Sequence, residues 1–171
     1  MNHAKNKLKW CLRKAEKELE KDNKHRGLIK KSPNIELAKK HIAKAEHYLK
    51  ATTFLKDDFS DISASTAFYC MYQCLLAIAL KQGYESRNQE CTFALIEDLI
   101  EENKIDFNIE LLEKISSLNP SENTEHFTSI EIREQYQYGT DLSLNENLYN
   151  ELFSTAQEVL LKTKEIIESQ I

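Results

Sequence analysis

Three groups of side chains in this sequence have the types and spacing that chemistry needs. Cys70 and Cys74 stand four residues apart, so a helix carries both thiols on one face, as metal ligands often lie. A structural zinc needs two further ligands, and neither Cys11 nor Cys91 has a CxxC or HxxxH companion, so the pair reads as small packing residues. Asp57, Asp58 and Asp61 gather carboxylates with no other ligand near them in sequence. They suit the positive end of a following helix better than a metal ion. The third group is Arg133, Tyr136 and Gln137, which are neighbours at i, i+3 and i+4 on a helix. Guanidinium, phenol and amide together suit a phosphate or a nucleobase. The plainer reading is an arginine that holds a helix end or a carboxylate, with tyrosines packed at the edge. In the functional reading Tyr138 extends the group, and Arg87 or Asn88, from the polar stretch Tyr84–Glu90, forms the opposite wall of one groove. His41 and His47 fall on a charged helix and are expected to face solvent. With only three glycines, no GxxxxGK[ST], GxGxxG or GxSxG loop is present, so neither metal nor cofactor is expected.

The element that must position these residues is Ile62–Leu80, nineteen residues without a charge, closed by Lys81-Gln82-Gly83. At 3.6 residues per turn it is apolar on nearly every side, which means a central core helix or a membrane span. Ser63, Ser65, Thr66, Tyr69, Tyr72 and Gln73 would need polar partners in lipid, so the core helix, over about Ser63–Gln82, is the expectation. Before it, a solvated amphipathic helix runs from about Lys5 to Asp22, with Gly27 suited to a left-handed C-terminal cap. Ser32 as N-cap with Pro33 at the first helical position starts a second helix that continues to about Lys56. After the polar connection 84–90 come helices at Cys91–Glu102, Asp106–Leu118, Ser129–Tyr138 (ended by Gly139) and Ser143–Ser169, with a loop at Asn119–Asn123. No stretch alternates cleanly with period two.

Few glycines and two prolines in a chain of 171 residues that is 30% charged point to one all-α protein: an antiparallel helical bundle, residues 32–171, with an extra N-terminal helix in residues 1–31. The four cysteines show no framework spacing and the N-terminus has no apolar leader, so a cytoplasmic location with reduced thiols is expected. Charge is uneven. Residues 1–31 hold eleven Lys/Arg against four Asp/Glu, whereas the rest holds twelve against twenty-four. Such a basic arm can touch nucleic acid, or dock on its own acidic body or on that of a second subunit; its helical pattern favours docking.

Three stretches resemble the HEPN family, helical bundles found in nucleotide-binding proteins of prokaryotes and higher eukaryotes. AKAEHYLKA within Ile35–Leu55 resembles the first bundle helix. Phe59–Tyr72, followed by Leu75, Ala77, Leu80 and Gly83, resembles the family's run of small and aromatic residues. Arg133–Gly139, with Tyr138 and Gly139 in the matching places, resembles the segment before the last helix. The similarity covers roughly residues 34–170, and KHRGL (24–28) with YESRNQECT (84–92) resembles an archaeal-type subgroup. The resemblance implies a dimeric binding module for RNA, a nucleotide or a partner protein, which in such families is often a nucleotidyltransferase of a toxin–antitoxin pair. Family ribonucleases carry Arg, four to six residues, then His. After Arg13, Arg26, Arg87 and Arg133 none of the eligible positions is His. A non-catalytic module is therefore expected. The alternative is a divergent metal-independent ribonuclease with Arg133 and Tyr138 in place of the absent pair, although a phenol of pKa ~10 is a poor substitute for imidazole.

Overall fold

The computed structural model describes residues 3–116 and 127–169. Among them the chain forms seven helices and one small sheet, in the order α1 (His3–Asp22), β1 (Leu28–Lys30), α2 (Ile35–Phe54), α3 (Ser60–Lys81), β2 (Tyr84–Ser86), α4 (Gln89–Glu101), α5 (Ile109–Ile115), α6 (Ser129–Tyr138) and α7 (Glu146–Glu168). The all-α bundle expected from composition is the observed architecture. The loop expected at 119–123 lies outside the described residues.

The uncharged run is the axis of the bundle. Ala67, Phe68, Cys70, Met71, Cys74, Leu75 and Ile78 of α3 are fully buried, enclosed by α2, α4, α6 and α7. Burying each of the larger side chains contributes about 1.5–3 kcal/mol. α3 is the one helix among the described residues with the length and apolarity of a membrane span, and most of it lies inside the protein. Its polar groups have partners that lipid could not supply. Thr66 Oγ1 lies 2.8 Å from Thr52 Oγ1 on α2, Gln73 Oε1 lies 2.6 Å from His41 Nδ1, and Tyr72 OH lies 3.2 Å from Thr92 Oγ1 on α4. His41 thus turns toward α3 rather than toward solvent. The helix starts three residues earlier than its apolar pattern suggests, at Ser60, and Ile62 in its first turn is half exposed.

Caps account for other boundaries. α2 begins at Ile35, where Asn34 accepts from the Leu37 amide at 2.9 Å. The expected Ser32-Pro33 start is two residues early, because Asn34 captures an orphan amide that Ser32 is too far upstream to reach. α6 opens on a reciprocal capping box between Thr128 and Glu131 and ends before Gly139, as expected. The left-handed residue after α1 is Asn23 (φ 53°), not Gly27. Gly27 serves close approach instead: a Cβ there would sit 3.3 Å from Ala15 Cβ.

Two features run against the expectations. Residues 84–86 are a strand, β2, paired antiparallel with β1 in the register Leu28↔Ser86, Ile29↔Glu85, Lys30↔Tyr84. Strands of three residues are too short for a period of two to show, and each is specified by a partner far along the chain. The thiols are not all reduced either: Cys11 and Cys91, eighty residues apart, form a disulfide that fastens α1 to α4, while Cys70 and Cys74 remain free and buried. The basic N-terminal helix docks on its own body, with Lys5 paired to Glu102 at 3.0 Å and Lys7 to Glu90 at 2.6 Å.

Candidate functional site

The five residues singled out for a groove are dispersed. Arg133 is only 7% exposed; its guanidinium carbon lies 4.7 Å from the centre of the Phe68 ring, and one terminal nitrogen donates to Glu134 at 3.0 Å. Its Nε is buried and has no hydrogen-bond partner among the described residues. Tyr136 is half-buried against the core, whereas Tyr138 is 76% exposed. Five residues of helix turn the chain by about 500°, so Arg133 and Tyr138 project from roughly opposite sides of α6. The pairing that a divergent ribonuclease would need is therefore not assembled. Asn88 caps α4 by accepting from the Cys91 amide at 3.0 Å, and Arg87 pairs with Glu85 at 2.9 Å. A cleft of about 460 Å³ does lie between α4 and α6, but it is lined by neighbours of the expected residues: Glu134 instead of Arg133, and Gln89 and Glu90 instead of Arg87 and Asn88, with Lys7 across from them. Two carboxylates, Glu90 and Glu134, against one lysine already paired with Glu90 do not attract a phosphate.

The stretches KHRGL and YESRNQECT, distant in sequence, meet at the sheet. Glu85 receives Lys31, Arg87 at 2.9 Å and the His25 Nε2 at 3.1 Å. The hydrogen bond from Lys31, helped by the His25 hydrogen bond and the charges of Lys31 and Arg87, holds its carboxyl down at about 2. His25 is buried, and its Nδ1 has no partner among the described residues. A carboxylate that receives two cations and an imidazole is a weak base, and an enclosed imidazole cannot reach a substrate, so the cluster is a clasp that fixes the α1–β1 turn to β2.

Sequence reasoning passed over the outer face of α1. Ala4, Leu8, Cys11 and Ala15 face inward. Opposite them Trp10 is 51% exposed, with the Lys7 and Lys14 ammoniums 5.1 and 5.0 Å from its ring centre. Arg13, Lys17 and Lys21 share that stripe at helical spacing and are exposed. Among the described residues, Lys14 and these three have no ion-pair partner. The signal was present in the sequence: the chain's one tryptophan stands among lysines on the polar side of an amphipathic helix.

A second surface is apolar. Phe54, at the end of α2, is 85% exposed, and Phe59 and Ile62 on the following turn are about half exposed. Leu142, 83% exposed, stands two residues before Leu144, whose amide donates to Ser60 Oγ at 2.8 Å beside Phe59. No protein-family model matches the chain, and no curated protein is significantly similar to it.

Proposed function

We propose that this chain is a HEPN-like, non-catalytic binding module that takes single-stranded RNA on the outer face of α1. The observation that carries the reading is Trp10 flanked by Lys7 and Lys14, on one stripe with Arg13, Lys17 and Lys21, whose charges have no ion-pair partner among the described residues. An exposed aromatic face stacks a base, and cations spaced along the helix meet successive phosphates. A membrane surface fits less well, because the apolar face of α1 is buried in the protein's own core and leaves Trp10 alone to insert. Fluorescence titration with poly(U) tests the reading directly, since Trp10 is the chain's single tryptophan. Four phosphate contacts predict a slope of log K against log salt of about −3. Trp10→Ala is expected to cost about 1–3 kcal/mol of binding. Absence of poly(U) binding, or binding indifferent to both Trp10→Ala and Lys17→Glu, refutes the site.

The exposed apolar end supports a second reading, that the module is a homodimer. Phe54, Phe59, Ile62 and Leu142 supply the apolar centre of an interface, which in stable dimers covers about 800 Å² per partner. Sedimentation of the wild type above the 19.9 kDa monomer mass, and of Phe54→Ser/Leu142→Ser at it, is the expected result. A monomeric wild type that dimerises only with an added nucleotidyltransferase would assign this end to that partner class instead.

A further inference from the structure

We propose that the Cys11–Cys91 disulfide is a redox latch: it holds α1 on the body of the protein, and its reduction frees α1 as a local unit while the rest of the bundle stays folded. The bond joins the middle of α1 to the first turn of α4. Without it, α1 rests on α4 and β1 through mostly small residues and through the Arg26 amide, which donates to Glu18 Oε2 at 2.7 Å. Of its four buried residues, Ala4, Leu8, Cys11 and Ala15, only Leu8 is large, and only Leu8 and Cys11 belong to the main core. Leu12 and Leu19 add half-buried contacts. The ion pairs of Lys5 with Glu102 and of Lys7 with Glu90 are partly exposed, and such pairs contribute little. Arg13 and Lys17, then Lys17 and Lys21, are like charges at i, i+4, which disfavours the helix once it is undocked.

The chain just after α1 is held far better. The Arg87 amide donates to the Gly27 carbonyl at 2.8 Å, β1 pairs with β2, and His25 is clasped by Glu85. Between the two regimes stands Asn23 in its left-handed conformation, which places the hinge at the end of α1. α3 keeps its burial from α2, α4, α6 and α7 whether or not α1 is docked. The step itself is a two-electron exchange. A dithiol attacks, the Sγ–Sγ bond breaks, Cys11 and Cys91 take up two protons as thiols, and the reductant's own thiols close into a disulfide. Both cysteines are buried, so attack waits for a local opening around the bond, and the rate of reduction reads that opening.

Limited trypsinolysis of the full-length protein tests the latch. In the oxidised form, cleavage after Arg13, Lys14 and Lys17 is expected to be slow. After dithiothreitol treatment it should accelerate at least about tenfold, because cleavage follows the population of the open form. A resistant fragment beginning beyond α1 should persist, and Trp10 anisotropy should fall. Cys11→Ser/Cys91→Ser should behave as the reduced form with or without reductant; if it fails to fold, reduction of prefolded wild type gives the same readout. Equal cleavage rates and equal anisotropy in both redox states overturn the proposal. So does loss of the whole far-UV signal on reduction, which would make the bond a global staple. One further arm rests on the RNA reading above: reduction should weaken poly(U) binding. If the oxidised protein binds no poly(U), that reading fails while the proteolysis still decides the latch.

Discussion

Lys81→Met removes one buried ammonium and keeps its apolar stem. In the wild type this ammonium closes the C-terminal end of α7: it donates to the Ile166 carbonyl, to the Ser169 carbonyl at 2.7 Å and to Ser169 Oγ at 3.1 Å. A cation here also faces the negative end of the helix dipole. No carboxylate among the described residues pairs with it, and burial pushes its ammonium below the usual lysine range. The two effects oppose each other. Charge-assisted hydrogen bonds contribute about 1.5–3 kcal/mol each, and desolvation of a buried ion costs several kcal/mol. Three bonds against one desolvated charge leave a net contribution of about 2 kcal/mol. At about 2–4 °C per kcal/mol for a chain of this size, Lys81→Met should melt roughly 4–8 °C lower. Calorimetry reads the shift, and hydrogen exchange should show the last turn of α7 losing protection first. A variant that melts at or above the wild-type temperature refutes the reasoning, because desolvation would then outweigh the cap.

Further expectations concern the core, the clasp and the enclosed arginine. Ala67→Asp places an unpaired charge where α3 is fully buried, so the variant should lose several kcal/mol and fail to show a cooperative melt; a wild-type-like melt contradicts the central placement of α3. Glu85 has a folded pKa of about 2 against 4.5 for the free side chain. The folded value is depressed, so its stabilisation is fully present above about pH 4.5 and is lost as pH falls toward 2. Allowing for solvent screening this amounts to about 1–2 kcal/mol, and Glu85→Gln should remove that slice of the acid dependence in urea titrations across pH 2–6. Arg133→Met should stay within about 1 kcal/mol of wild type in stability, since the guanidinium is buried with an unpartnered Nε. It should also leave poly(U) affinity unchanged; a large loss of affinity would return Arg133 to the binding surface.

The parts of the fold legible in the sequence were those set by local chemistry. Nineteen uncharged residues closed by Gly83 define α3, and Ser129–Tyr138 is bounded by Thr128, Glu131 and Gly139 close at hand. What escaped depends on partners far along the chain. β1 and β2 carry too few residues to signal a strand, and nothing around Cys11 points to Cys91. The groove failed for a directional reason: the helical phase that unites Arg133 with Tyr136 and Gln137 sends Tyr138 away, and Phe68 draws Arg133 inward. The α1 face could have been found by placing Trp10 on the helical wheel, where it stands opposite Leu8 and Ala15.

The partnership of α1 with α4 also sets an order of events during synthesis. α1 is translated before α4, and its docking surface there appears only some eighty residues later. At typical elongation rates of about 5–20 residues per second, the nascent helix waits roughly 4–16 s outside the ribosome. Over that interval Cys11 is an accessible thiol, open to wrong partners. The segment's dense lysines and small apolar residues keep it solvated, with little for a chaperone to hold. The α2–α3 hairpin, joined by a short turn, can close in the meantime, so α1 is placed after α2 and α3 although it is made before them.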